Sequence, residues 1–117
     1  MSEKLRKALF EAVHLNPIWP DELIANAKLP NYEYVHYTNN EDGLIVEMKF
    51  KDDYVGYAYA YYYFDASEKL QKIQIKQRDE INTIYDRELI IAKAFIRLVE
   101  AEGLEVAKSI FDYKIAS

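Results

Sequence analysis

The chain is predicted to be an α+β protein, a four-stranded antiparallel meander with helices packed on one face, in the order ααββββαα. Three observations carry that expectation. Apolar residues recur at helical spacing toward both ends of the 117 residues, the period drops to two from Asn31 onward, and the two-period runs are separated by turn-type sequences.

In "SEKLRKALFEAVHL" the residues Leu5, Ala8, Leu9, Ala12 and Val13 fall on one helical face. Glu3, Lys7 and Glu11 follow one another at i,i+4 on the other side. "NPIWP" ends this helix, because each proline pushes its predecessor out of the α region. "PDELIANAKLP" reads as a short second helix with Pro20 near its first position, acidic residues in its first turn, and Leu23, Ile24 and Ala27 facing inward. Trp19, held between two prolines, is expected to plug the core at the entry of that helix. An exposed indole there would instead suggest a docking point.

Four strands follow, "NYEYVHYT", "LIVEMKFK", "YAYAYYYF" and "KLQKIQIKQ", separated by "NNEDG", "DDYVG" and "DASE". From about Asn82 the spacing is helical again, with Asp86, Lys93, Arg97 and Glu100 as one polar stripe on an otherwise apolar helix reaching Glu102. Such a helix has to be covered on several sides. Gly103 supplies a stop, and "LEVAKSIFDYKI" reads as a last short helix. No repeat or linker interrupts the chain, so residues 1–117 are expected to form a single domain.

Alternation fixes the expected register, since a slip of one residue moves a strand's apolar set to the other face. Leu44, Val46, Met48 and Phe50 are apolar at even positions, whereas Glu47, Lys49 and Lys51 are charged at odd ones. With Lys51 paired to Tyr57, Phe50 lies opposite Ala58, Met48 opposite Ala60, Val46 opposite Tyr62 and Leu44 opposite Phe64. Ile73 then meets Tyr62 and Ile75 meets Ala60 across the next hairpin. The two alanines leave room for the apolar helix to approach.

The other face carries the feature that bears on function. Tyr57, Tyr59, Tyr61 and Tyr63 form a ladder along the third strand, flanked by Glu47, Lys49 and Lys51 on one neighbour and by Lys72, Gln74 and Lys76 on the other. The plain expectation is a solvated face in which rings cover lysine stems. Three functional readings compete with it: a protein interface, for which tyrosine is enriched; a platform for single-stranded nucleic acid, as aromatic and basic groups on a sheet can provide; and a tyrosine-lined pocket if the sheet curls.

Composition narrows the choice. The net charge is −5, and the segment 57–78 is the only net basic one, at +2, against −4 for residues 31–56. An acidic protein attracts basic partners and repels nucleic acid at long range. Cysteine is absent, so there is no disulfide framework, no thiol nucleophile and no Cys-containing zinc site. With glycine only at 43, 56 and 103, no Gly-rich phosphate cradle can be assembled, and no nucleophile elbow or HExxH motif occurs. His14 is expected to end the first helix and His36 to be a structural residue beside Tyr32, Tyr34 and Thr38. Glu41, Asp42, Asp65 and Glu68 occupy two loops at one end of the meander, where they are expected to stay wet or to meet a basic partner, without holding a metal.

The expected function is therefore that of a small, acidic, non-catalytic binding protein of adaptor, inhibitor or immunity type, needing no cofactor. Its binding residues are Tyr57, Tyr59, Tyr61, Tyr63, Lys49, Lys72 and Lys76, with the acidic loops beside them. The partner is another protein, of basic character, or a second copy in a homodimer, and nucleic acid is the alternative. The N-terminal stretch interleaves charge with apolar residues instead of running apolar as a secretory signal does, so a cytoplasmic location without membrane partners is expected.

Overall fold

The computed structural model describes residues 2–112. The chain divides into two compact units, Pro17–Asp86 and Met1–Asn16 with Arg87–Ser117. The elements are α1 (Ser2–His14), a 3-10 segment (Pro20–Lys28), β1 (Tyr32–Asn40), β2 (Gly43–Asp52), β3 (Gly56–Asp65), β4 (Leu70–Gln77), β5 (Glu80–Asp86), α2 (Arg87–Glu102) and α3 (Leu104–Phe111). The protein is thus α+β. Among the described residues no helix is long and apolar enough to cross a membrane.

The unit Pro17–Asp86 is an antiparallel five-stranded meander in the order β1-β2-β3-β4-β5. The central pairings follow the apolar alternation: Lys51 meets Tyr57, Phe50 meets Ala58, Met48 meets Ala60, Val46 meets Tyr62 and Leu44 meets Phe64. Ile73 lies opposite Tyr62 and Ile75 opposite Ala60, as the same alternation requires. One face accordingly buries Val46, Met48, Ala58, Ala60, Phe64, Leu70 and Ile73. Removing an aliphatic or aromatic side chain of this size from water contributes about 1.5–3 kcal/mol.

The expected four strands become five. The run "EINTIYD" is a strand, not the start of a helix, and α2 begins only at Arg87. Ile81, Thr83, Ile84 and Tyr85 are β-branched or aromatic and suit a pleated surface. The turn before β5 is two residues long, with Gln77 paired to Glu80 and Arg78 held at φ 55°. A non-glycine residue in that left-handed region carries none of the usual glycine or asparagine signal, which hides the hairpin from a reading of the sequence.

Within its own unit the buried face is covered by the segment that precedes the sheet. Leu23 of the 3-10 segment joins Val46, Met48, Ala60, Phe64, Leu70 and Ile73 in one apolar cluster, with Ile18 packed against it. The apolar helix α2 belongs to the other unit, which has a core of its own. In the other unit, Leu9 of α1, Leu98 of α2 and Ala107 of α3 are fully buried together, with Leu5, Val13, Ile91, Phe95 and Ile110 around them. Arg6 forks onto the Glu102 carboxylate, its Nε 2.8 Å from Oε2, and ties α1 to the end of α2. His14 Nε2 donates to the Ile110 carbonyl at 2.8 Å, so this histidine is a structural link between α1 and α3. The last helix is described to Phe111, and its expected continuation through residue 115 lies outside the described residues.

Within the 3-10 segment, Pro20 and Leu23 are buried, whereas Ile24 and Ala27, expected to face inward, are exposed. Trp19 is 49% exposed, so it is not the core plug that its position between prolines suggests. Its backbone N–H donates to the Glu22 carboxylate at 2.7 Å, and Glu22 N–H donates back to the Trp19 carbonyl at 3.1 Å. The reciprocal pair fixes the entry of the segment through the backbone, leaving the indole outside.

Candidate recognition face

The second face of the sheet is built by the residues that alternate with the core set. On β3 these are Tyr57, Tyr59, Tyr61 and Tyr63, and the registers place Lys51, Lys49, Glu47 and Ile45 opposite them on β2. On β4 the neighbours of Tyr59, Tyr61 and Tyr63 are Lys76, Gln74 and Lys72. β1 adds Tyr34, His36 and Thr38 beyond Lys49, Glu47 and Ile45, and β5 adds Ile81, Thr83 and Asp86. Every one of these side chains is half-buried or exposed, and Tyr57 is 48% exposed.

The rings are held by their polar tips. Tyr34 Oη donates to Glu47 at 2.6 Å, and the Tyr34 ring stacks on His36 at 4.1 Å between centroids. Tyr57 Oη donates to Glu33 at 3.1 Å. Tyr63 Oη donates to the Gln74 carbonyl oxygen at 3.1 Å, and Gln74 Nε2 donates in turn to Thr83 at 3.3 Å. Lys49 Nζ lies 4.7 Å from the centre of the Tyr57 ring and 5.8 Å from that of Tyr59, within cation–π range. Such contacts, made at separate points between β1 and β5, restrain side-chain rotamers that an isolated surface tyrosine would sample freely.

The Glu47 carboxylate sets the electrostatics of the centre. Its hydrogen bond, then burial and its negative charge, hold the Tyr34 phenol well above the ordinary tyrosine range. Partial burial, followed by the same charge, raises Tyr61. Because the folded state keeps these protons above the unfolded value of about 10, it loses stability as the pH rises past that value. Tyrosinate absorbance is therefore expected to develop later in the folded protein than in urea, and Glu47→Gln is expected to advance it. Superimposable titrations of the native protein and the Glu47→Gln variant would contradict the assignment.

The structure brings the ladder residues Tyr57, Tyr59, Tyr61 and Tyr63 together with Lys49, Lys72 and Lys76, as the alternation requires. It adds what sequence reasoning did not assign to the site: Glu33, Tyr34, His36 and Thr83. A bulge between Tyr32 and Tyr34 turns Tyr32 to the core face, where it stacks on Phe50 at 5.2 Å, so Tyr32 does not share His36's side as expected. The alternation Tyr34, His36, Thr38 against Val35 and Tyr37 was the available signal.

The two acidic loops do lie at one end, since Gly43 pairs with Asp65. Asp65, however, is the staple of its own turn: Oδ1 accepts from the backbone of Ser67 and Lys69 and from the Ser67 hydroxyl, each at 2.9 Å, and Oδ2 accepts from Gln71 at 3.1 Å. Glu68 sits at φ 65° in the same turn, with its N–H on the Asp65 carbonyl. Glu41 and Asp42 are exposed. Among the described residues no group of three or more His, Asp or Glu is placed to hold a metal ion.

No family model, curated protein or solved structure matches the chain.

Proposed function

We propose that the protein is a non-catalytic binding module whose open sheet face recognises another protein. The observation that carries this reading is the ordered tyrosine face: the hydroxyls of Tyr57, Tyr34 and Tyr63 are held by Glu33, Glu47 and Gln74, and the Lys49 ammonium group lies over the Tyr57 ring. Rings restrained before contact lose less entropy on binding, and tyrosine carries a large share of binding energy at interfaces.

Charge favours a basic partner. The sheet unit Pro17–Asp86 holds seven Lys and Arg against thirteen Asp and Glu, a net of −6. Two carboxylates, Glu33 and Glu47, lie among the rings, where stacked nucleotides would bring phosphates against them. Lys49 is turned onto the tyrosines, leaving Lys51, Lys72 and Lys76 as the cations of the face. Acidic Glu41 and Asp42 at the sheet end add to the long-range attraction for a basic surface. A cytoplasmic setting without cofactor fits a chain that contains no cysteine.

Peptide display on the immobilised chain, counter-selected against the Tyr59→Ala/Tyr61→Ala variant, tests the reading. The expected binders are rich in Lys and Arg and lose at least about thirtyfold in affinity for the double variant. Single-stranded RNA oligomers are expected not to bind at low salt. Oligomer binding that collapses as salt rises and weakens on Lys76→Ala would replace this reading with a nucleic-acid one.

A further inference from the structure

The outward side of α2 is unlike an ordinary solvated helix face. Leu89 is 52% exposed and Ile96 56%, and both lie with Ala92, Lys93 and Glu100 at i, i+3, i+4, i+7 and i+11, one stripe of the helix. Beside that stripe runs a groove of about 610 Å³ lined by Ile91, Ala92, Phe95, Ile96 and Phe111 together with the charged Arg87, Glu88, Lys108 and Asp112. A helix apolar on nearly all sides needs cover, and α1 and α3 supply it on one side only.

We infer that this stripe pairs antiparallel with the same stripe of a second copy, about a two-fold axis near Ile96 and Arg97. Its charges select that occupant. Lys93 and Glu100 are opposite in sign, exposed, and without a partner among the described residues. Seven residues apart, they stand on one face about 10 Å from each other along the axis. A two-fold between them sets Lys93 of each copy against Glu100 of the other, so one register makes both ion pairs at once, while the exposed Arg97 of each copy lies beside the axis and three residues from its own Glu100. A closed two-fold interface demands this kind of self-complementarity.

Ala92 next to Ile96 lets the helices approach, and the groove receives apolar side chains of the second copy. The helical unit carries eight Lys and Arg against seven Asp and Glu, so it is nearly neutral, whereas copies meeting through the −6 sheet unit repel. The stripe and the tyrosine ladder belong to different units, so the dimer contact and the recognition face draw on different residues.

Sedimentation equilibrium of the full chain at about 1 to 100 μM, a range in which interfaces of standard size assemble, decides the matter. The expected species has twice the 13.8 kDa chain mass. Lys93→Glu and Glu100→Lys are each expected to weaken the dimer at least about tenfold by setting like charges together twice, and the double variant K93E/E100K is expected to restore it. Ile96→Asp, at an exposed position, is expected to give a monomer with unchanged circular dichroism, while Tyr59→Ala/Tyr61→Ala leaves the dimer intact. A monomer throughout the range overturns the inference. So does a dimer indifferent to both single reversals, or folded single variants that the double reversal fails to rescue.

Discussion

Gly43→Ala is expected to destabilise the protein by at least about 3 kcal/mol, seen as a shift of the urea midpoint at unchanged slope. Gly43 adopts φ 149° and opens β2 directly opposite Asp65. A Cβ there would run into the Phe64 carbonyl oxygen and lie 2.6 Å from the Asp65 carbonyl carbon. The obstacle is backbone, so it cannot swing aside as a flexible side chain would. Relief requires parting β2 from β3 at the pair that anchors the sheet end carrying both acidic turns. Gly56, at φ 83° with nothing within 4 Å of a built Cβ, is the control: its alanine variant meets only backbone strain and is expected to cost about 1 kcal/mol. Equal costs at the two positions would contradict the close approach at Gly43.

Phe64→Ala and Tyr63→Ala are expected to part company although the residues are adjacent in sequence. Phe64 is 3% exposed within the cluster of Val46, Met48, Leu70 and Ile73, so its truncation is expected to cost about 3–5 kcal/mol. Tyr63 points to the other face, where truncation loses its hydrogen bond to Gln74, about 1 kcal/mol. Chemical denaturation of the two variants measures the difference. A reversed order would place the tyrosine ladder in the core and remove the recognition face.

The phase of the sheet was legible because β2 alternates so strictly that Val46, Met48 and Phe50 cannot share a face with Glu47 and Lys49. Once β2 was fixed, turn lengths carried the register into β3 and to the pairs of Tyr62 and Ala60 with β4, while a bulge between Tyr63 and Phe64 shifts the pairing beside the turn. β5 escaped because its turn uses Arg78 at positive φ and because Ile84 and Tyr85 continue into the helical spacing of "RELIIAKAF". Local periodicity has no means of marking where one such pattern hands over to the next.

The residues that cover each core are less legible, for a different reason. Within its own unit each apolar surface has its own cover: Leu23 and Ile18 for the sheet, Leu9 and Ala107 for α2. Apolarity states that a surface is to be buried and leaves its partner open. At the candidate site, the ladder and its lysines followed from alternation, while the bonds from Tyr34 to Glu47 and from Tyr57 to Glu33 depend on a bulge in β1 that no residue announces.

Hydroxyl-radical footprinting, read residue by residue with and without a peptide selected on the face, tests the central claim most directly. Tyr57 and Tyr59 are expected to react in the free protein and to be shielded in the complex, while Met48, 1% exposed on the core face, stays protected in both. A complex that leaves Tyr57 and Tyr59 as reactive as before, or a free protein in which Met48 is oxidised ahead of them, would contradict the account.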